Sequence, residues 1–192
     1  MGTFGWKKAL VVAGIAALPS VASADYIATI AGNDCSGVFG VGFANCKVPT
    51  QYDPNQSPVI IKFDFDDAGN VSAVTINSAL FPTITGLEFT FSFGSGGTGT
   101  GTWTYAPGPG DPSIHFFVAK GGPLGFNLFS NLGDPNSDAY FTPNTPSGKP
   151  AGLSHLTFYD TGAHQVPEPA PVALLGLGLL GLMVAFRRRN PD

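Results

Sequence analysis

The sequence predicts an all-β protein, an antiparallel β-sandwich of jelly-roll-like type, and three observations carry that prediction. Between residues 25 and 160, apolar and polar residues alternate with a period of two, and we find no convincing amphipathic helix there. Clusters of Gly, Pro, Asp and Asn separate the alternating segments, as in DDAGN, GSGGTG, APGPGDP and KGGPLG. Fourteen of the 16 Phe residues, all except Phe4 and Phe186, fall between residues 39 and 158 and can fill one core between two sheets.

About nine short strands are expected in this body. Segments 58–65 (PVIIKFDF) and 86–93 (GLEFTFSF) alternate most cleanly, with Val59, Ile61 and Phe63 on one face of the first and Leu87 beginning the apolar face of the second. Such alternation predicts strands that are buried on one side only. The other strand candidates are 26–31, 71–77, 100–106, 113–119, 125–130, 138–142 and 153–160.

Residues 1–24 have the pattern of a secretory signal peptide. Lys7 and Lys8 precede an uncharged apolar run at 9–18, and Ala22-Ser23-Ala24 is a small-residue cleavage site. The Sec machinery and signal peptidase are the expected partners, and the mature chain is expected to begin at Asp25. The alternative, an uncleaved anchor helix, is disfavoured because the apolar run is short.

The body's charge excludes one class of partner. Residues 25–165 hold four Lys, ten Asp, one Glu and no Arg, so the net charge is 4 − 11 = −7. Nucleic acid is excluded as a partner because its phosphates need a basic surface. An acidic surface can bind cations or the hydroxyls of a neutral sugar, but more often it is simply solvated.

Cys35 and Cys46 are the two cysteines of the chain. In an exported protein they meet an oxidising compartment, so we expect a disulfide that closes the loop between them and contributes about 2–3 kcal/mol. Zinc binding is the weaker alternative because no nearby His or second Cys pair completes a ligand set.

The segment DFDDAGN is a candidate cation site because Asp64, Asp66 and Asp67 place oxygen ligands close together. Calcium is the cofactor this would imply. The segment departs from a calcium-binding loop, since Ala68 takes the third ligand position and Thr75 the twelfth. A polar hairpin turn between two strands is the preferred interpretation, and no other cofactor is expected.

The segment TGTGTWTY, residues 98–105, is a candidate sugar-binding surface. Thr100 and Thr102 belong to a stripe of Thr side chains on one face, with Trp103 on the other. The stripe can contact sugar hydroxyls, and an exposed Trp can stack on a sugar ring. The alternative interpretation puts the Thr face in solvent and the aromatic side chain in the core.

No catalytic constellation is apparent, and we expect the protein not to be an enzyme. In GLSHLTFYD, Ser154 and His155 are adjacent, so on a strand they face opposite sides and cannot form a nucleophile–base pair. The segment also lacks the G-x-S-x-G pattern. A secreted hydrolase is therefore the least favoured alternative.

The C-terminal region has the pattern of a membrane anchor. After a linker at 161–165, the uncharged residues 170–186 would span about 26 Å as a helix, and Arg187, Arg188 and Arg189 follow at once. Positive residues stay cytoplasmic, so a single pass with the body outside and a cytoplasmic tail at 190–192 is expected. GLGLLG at 176–181 fits G-x-G-x-x-G, but no later strand or acidic residue supports a dinucleotide site.

The segment from Val166-Pro167-Glu168-Pro169 through the Gly/Leu-rich run to the Arg cluster resembles the PEP-CTERM sorting signal of Gram-negative bacteria, over residues 166–189. The resemblance implies recognition by exosortase, a membrane-embedded, sortase-like transpeptidase that cleaves near Pro-Glu-Pro. The two prolines also keep this segment extended, as such an enzyme requires. The tripeptide NPD after the arginines departs from many such tails, which stop at Arg.

The leading expectation is therefore an exported structural protein. It would be anchored in the inner membrane with its body in the periplasm and then passed to the cell surface or the exopolysaccharide matrix. The stretches WTYAPGPGDPSIHFFVAKGG and GLSHLTFYD also resemble β-rich bodies that carry this tail, a resemblance that brings no assigned activity. A lectin-like module that binds the exopolysaccharide is the first alternative.

Overall fold

Nine short strands form the body of the protein. The computed structural model describes residues 24–131, 134 and 136–160. The strands are β1 (Asp25–Ile30), β2 (Val59–Phe65), β3 (Val71–Ile76), β4 (Phe89–Gly94), β5 (Gly97–Tyr105), β6 (Phe116–Lys120), β7 (Phe126–Ser130), β8 (Ser137–Phe141) and β9 (His155–Tyr159). Two single-turn 3₁₀ helices, Phe43–Asn45 and Gly122–Leu124, lie in loops. The predicted strands are all present.

The strands form two antiparallel sheets. The larger has six strands in the order β1-β7-β6-β9-β2-β3, and the smaller has three in the order β4-β5-β8. The predicted all-β antiparallel fold is confirmed. The division into six and three strands differs from the eight strands of a jelly roll, because β9 joins the β2–β3 hairpin to the β6–β7 hairpin in one sheet.

Aromatic rings from both sheets meet in the core between them. Trp103 on β5 packs edge-to-face on Phe117 of β6 and Phe158 of β9, with ring centroids 5.3 and 5.0 Å apart. Phe63 on β2 meets Phe89 and Phe91 of β4 at 5.1 and 4.9 Å. The two inner faces thus interdigitate as in a β-sandwich.

The one-sided burial predicted from segments 58–65 and 86–93 does not extend to the centre of the larger sheet. Every residue of β6, β7 and β9 is buried. Residues 31–58, which we call the outer loop, cover the face turned away from the smaller sheet. Cys35, Phe39, Cys46 and Val48 of the outer loop pack there with a second set of strand residues, Val59, Phe116, Val118, Phe126, Leu128 and Tyr159.

One-sided burial does hold where no loop covers the sheet. In β5, Trp103 and Tyr105 are buried while Thr102 and Thr104 are exposed. Leu87, expected on an apolar strand face, is instead 92% exposed because β4 begins only at Phe89.

The membrane and targeting predictions fall largely beyond this body. Within the described residues, neither helix is long and apolar enough to cross a membrane. The predicted signal peptide apart from Ala24, the linker 161–165, the membrane helix 170–186 and the tail 190–192 all lie outside the described residues.

Candidate functional site

The outer loop is fastened to the larger sheet by the predicted disulfide. Cys35 and Cys46 are bonded, which confirms their pairing. Both sulfur atoms lie close to the Tyr159 hydroxyl on β9, at 3.6 and 3.5 Å. Phe39, between the two cysteines in sequence, packs on Phe126 and Tyr159 with ring centroids 5.1 and 5.9 Å apart. The loop therefore holds Asp34, the residue before Cys35, against β9.

Asp34 is the centre of a buried polar cluster. Its Oδ1 lies 3.0 Å from Nε2 of His155, and its Oδ2 accepts a hydrogen bond of 3.2 Å from the Tyr159 hydroxyl. Burial opposes ionisation of Asp34, but the hydrogen bond and the charge of His155 outweigh it and hold the pKa of this carboxyl well below its usual range. An ionised carboxylate only accepts, so Nε2 of His155 carries the proton.

The other ring nitrogen of His155 faces a second carboxylate. Its Nδ1 lies 3.9 Å from Oδ1 of Asp64, which also forms a 2.9 Å ion pair with Nζ of Lys62. Asp34 and Asp64 thus flank one imidazole from its two sides. This arrangement fixes the orientation of the ring.

Lys120, at the end of β6, brings a nearly buried ammonium group to the same place. Its Nζ donates to the carbonyl oxygens of Gly32 and Gly122, at 3.3 and 2.6 Å. Burial lowers the pKa of Lys120, and the negative charge of Asp34 partly offsets that effect. The outer loop and three strands of the larger sheet, β2, β6 and β9, therefore converge on one polar site.

An open cavity of about 370 Å³ lies over this cluster. Charged, amide, hydroxyl and aromatic side chains line it. They include Asn33, Asp34, Phe43, Lys62, Lys120 and His155. The volume falls within the usual range of small-molecule sites. The cavity combines positively charged ammonium groups, neutral polar groups and one aromatic ring. Such a lining suits a small polar ligand.

Trp103 does not lie at this site, and its assignment as a candidate sugar contact needs correction. Its side chain is fully buried between the two sheets, at 0% exposure, so it cannot stack on a sugar ring. Its indole N–H has no hydrogen-bond acceptor among the described residues. The alternation with Thr at 100, 102 and 104 correctly put Trp103 on the face opposite the Thr stripe, and that face is the core.

The Thr stripe lies on the outer surface of the smaller sheet. Thr102 is exposed and Thr100 is half-buried. Thr104 hydrogen-bonds Thr90 across the strands at 3.0 Å, as a solvent-facing Thr pair does. Without an accessible aromatic ring from Trp103, Thr100 and Thr102 remain a predicted polar surface and no more.

The three carboxylates proposed for calcium are not brought together. Asp66 closes the β2–β3 turn, where its Oδ1 accepts from the backbone N–H groups of Ala68 and Asn70 at 3.0 and 2.8 Å. Asp64 instead pairs with Lys62 on the strand. The described part of the chain contains no group of three or more His, Cys, Asp or Glu side chains placed to hold a metal ion.

Ser154 and His155 both line the cavity, although they were expected on opposite faces. Ser154 lies just before β9, where the strict alternation of a strand does not yet apply. Within the described residues no hydrogen bond joins the Ser154 hydroxyl to the His155 ring, whose Nε2 is used by Asp34. The pair therefore has no nucleophile–base geometry.

Sequence reasoning missed the residues that build this site: Asp34, Lys62, Lys120 and Tyr159. One signal was available. Lys120 lies on the same face of β6 as Phe116 and Val118, and His155 and Tyr159 share the matching face of β9. Polar residues at the end of an apolar strand face are typical of a face that is covered and has a polar site at its edge.

The sorting residues lie outside the described residues, both Val166, Pro167, Glu168 and Pro169 and the three arginines Arg187, Arg188 and Arg189. Comparison with known proteins bears on them directly. Residues 165–189 match the family model described as the PEP-CTERM protein-sorting motif. No curated protein and no solved structure matches the chain.

The match spans the Pro-Glu-Pro tripeptide, the Gly/Leu-rich run and the Arg cluster in the order expected. It leaves the β-rich body without an assigned activity. The chain thus carries a PEP-CTERM protein-sorting motif in its C-terminal segment.

Proposed function

We propose that the protein is an exported structural component of the cell surface or the exopolysaccharide matrix, carried there by its C-terminal sorting signal. The observation that carries the proposal is the PEP-CTERM match at residues 165–189. That motif implies export, anchoring in a membrane before processing, and exosortase as the processing enzyme. The final location and the structural role are the proposal.

The disulfide supports the exported part of the proposal. Disulfides persist in oxidising compartments and are rare in the cytosol. Cys35 and Cys46 are bonded within the outer loop that covers one face of the larger sheet. A protein stabilised in this way is suited to the space outside the inner membrane.

The body itself is proposed to be non-catalytic. Asp34 and Asp64 are engaged by the same His155 ring rather than facing one another across an open cleft, as the acid and base of a glycosidase do. The buried Tyr159 hydroxyl is a poor nucleophile because burial and the charge of Asp34 raise its pKa. A hydrolase therefore remains the least favoured function.

The intact mass of the extracellular form tests the sorting proposal. In a cell that makes exosortase, the secreted species should lack residues 170–192, and deletion of the exosortase gene should abolish that species. Replacing Glu168 with Ala should block processing, whereas Pro191→Ala, beyond the arginines, should leave it unchanged. A surface species that retains residues 170–192 in the competent cell would contradict the proposal.

A second candidate function, a polysaccharide-binding module, is favoured by one observation, the polar cavity beside the outer loop. It does not depend on Trp103, which is buried.

A further inference from the structure

The cavity gathers positive charge in an acidic body. Only four lysines occur between residues 25 and 165, and two of them, Lys62 and Lys120, line this one cavity. The two lysines and Asp34 of the lining sum to 2 − 1 = +1 with His155 left out of the count, and Asp64, the ion-pair partner of Lys62, brings the sum to 2 − 2 = 0. The body as a whole has 4 − 11 = −7. The cavity is therefore less acidic than the body as a whole, and an anion is repelled less here than by the body on average.

Lys120 has donor capacity left for a ligand. An ammonium group has three N–H donors. Among the described residues, those of Lys120 have the carbonyl oxygens of Gly32 and Gly122 as acceptors, which leaves one donor. Lys62 likewise has one acidic partner, Asp64, and its side chain is 24% exposed. Both ammonium groups can donate to a further acceptor without losing their present contacts.

Within the described residues, no hydrogen bond or ion pair joins Asp34 to Lys62 or Lys120. Its two carboxylate oxygens face His155 and Tyr159 instead, at 3.0 and 3.2 Å. The cluster thus holds Asp34 as a fixed wall of the cavity, and the charge of Asp34 partly offsets the effect of burial on the pKa of Lys120. A carboxylate on a ligand would complete the coordination of Lys120 and Lys62 at small cost in desolvation, since Lys120 is already buried.

The rest of the lining calls for hydroxyl groups. Asn33, Ser36, Thr75 and Ser154 supply amide and hydroxyl groups, and the half-buried ring of Phe43 supplies an apolar patch. Several polar groups and one aromatic face suit a ring that carries several hydroxyls. The volume of about 370 Å³ admits a molecule larger than a simple carboxylate such as acetate.

We propose that this cavity binds a polyhydroxylated carboxylate, a sugar acid of one or two rings, with its carboxylate between Lys120 and Lys62. The proposal goes beyond sorting and does not depend on it. A free sugar acid and an acidic residue of a polysaccharide share this chemistry, and the experiment below distinguishes them.

Isothermal titration calorimetry on the full-length chain tests the proposal, in a detergent without a sugar headgroup. Glucuronate should bind at least tenfold more tightly than glucose, which lacks the carboxylate, and than acetate, which lacks the hydroxyls. Raising the salt concentration should weaken the binding of glucuronate. If a glucuronate oligomer binds more tightly than the monomer, the natural ligand is an acidic polysaccharide. If the oligomer and the monomer bind with equal affinity per sugar ring, the natural ligand is the free sugar acid.

Lys62→Gln provides the matched variant because Lys62 is partly exposed and its loss spares the buried contacts of Lys120. It should weaken the binding of glucuronate at least tenfold, whereas Lys62→Arg should retain binding. Lys149→Gln replaces an exposed lysine outside the cavity and should leave the affinity unchanged. A thermal melt confirms that each variant is folded. Glucose or acetate binding as tightly as glucuronate, or full affinity in Lys62→Gln, would overturn the proposal. Since sorting is read from the mass of the secreted species, the two proposals fail separately.

Discussion

The two faces of the six-stranded sheet are both buried, but by different means. The inner face is covered by a second sheet through rings such as those of Trp103 and Phe158. The outer face is covered by an irregular loop, a disulfide and a polar cluster around Asp34. Strand β9 serves both faces, with Leu156 and Phe158 inward and His155 and Tyr159 outward.

The difference teaches where a function is to be sought in this body. Packing aromatic rings against one another stabilises the fold and leaves no charged group that needs a partner. Burying Asp34, His155 and Lys120 has a desolvation cost that hydrogen bonds only offset. A protein that needed only stability would cover the outer face as it covers the inner one. The polar face is therefore the better candidate for a binding role.

The largest effect is expected from breaking the inner face. Phe158→Ala removes a ring that contacts Phe89, Trp103 and Phe117 at centroid distances of 4.7, 5.0 and 6.2 Å. The free energy of unfolding should fall by about 3–5 kcal/mol, as for other buried Phe residues. Chemical denaturation followed by Trp103 fluorescence measures it. Leu87→Ala, at an exposed position, should change it by less than about 0.5 kcal/mol, and a comparable loss there would contradict this assignment of the core.

The second effect separates the two faces. Replacing Cys35 and Cys46 by Ala should lower the free energy of unfolding by about 2–3 kcal/mol, because the unfolded chain regains the freedom of the closed loop. Trp103 is the one Trp of the body and reports on the inner face, so its native emission should not change. Ser36→Ala serves as the control in the same loop. A red-shifted Trp103 in the folded double variant would show that the faces are not independent.

The third effect concerns the polar cluster and depends on pH. Asp34→Asn weakens the interactions of His155 and Tyr159 and should cost about 1–3 kcal/mol at pH 7. The pKa of Asp34 in the folded state lies below its ordinary value of 3.8. Its contribution is therefore complete above about pH 4 and is lost as the pH falls through the folded pKa.

The gap between the wild-type protein and Asp34→Asn should accordingly narrow on acidification from pH 4 downward. Urea unfolding at a series of pH values measures that gap. Asp67→Asn, the same substitution at an exposed turn residue, should shift the free energy of unfolding by less than about 0.5 kcal/mol at pH 7. A gap that widens in acid would mean that Asp34 is not stabilised as a carboxylate.

The smallest effect is expected on the exposed surface of the other sheet. Thr102→Ala removes a side chain that lies in solvent on β5, opposite Ser92 and Ala139 on the neighbouring strands. Only its strand preference is lost, and the free energy of unfolding should fall by less than about 1 kcal/mol. Thermal unfolding measures it, and a larger loss would show that the Thr stripe has a packed partner.

The strands were predictable because their signal is local. Alternation and turn residues set β2 and β5 within a few positions of their observed ends, and Cys35 and Cys46 had no competitors for pairing. The sorting segment was predictable for the same reason, since Pro167, Glu168 and Pro169 are contiguous in sequence with the run and the arginines.

The cavity was not predictable because its parts come together only through the fold. Asp34 and His155 are 121 residues apart in sequence. Which loop covers the outer face depends on sheet order, which alternation does not encode. The burial of Trp103 shows the same limit, because a pattern assigns a side chain to a face but not to the core or to solvent.

The place of β9 in the sheet order has a consequence for how this protein is made. It is the last strand in the described sequence, yet it lies between β6 and β2 and pairs with both. Before it arrives, the larger sheet consists of two separate pieces, β1-β7-β6 and β2-β3. The sheet can close only once β9 has joined it, since such long-range pairing waits for both partners. The strand that completes the larger sheet is thus the one described strand nearest in sequence to the sorting segment.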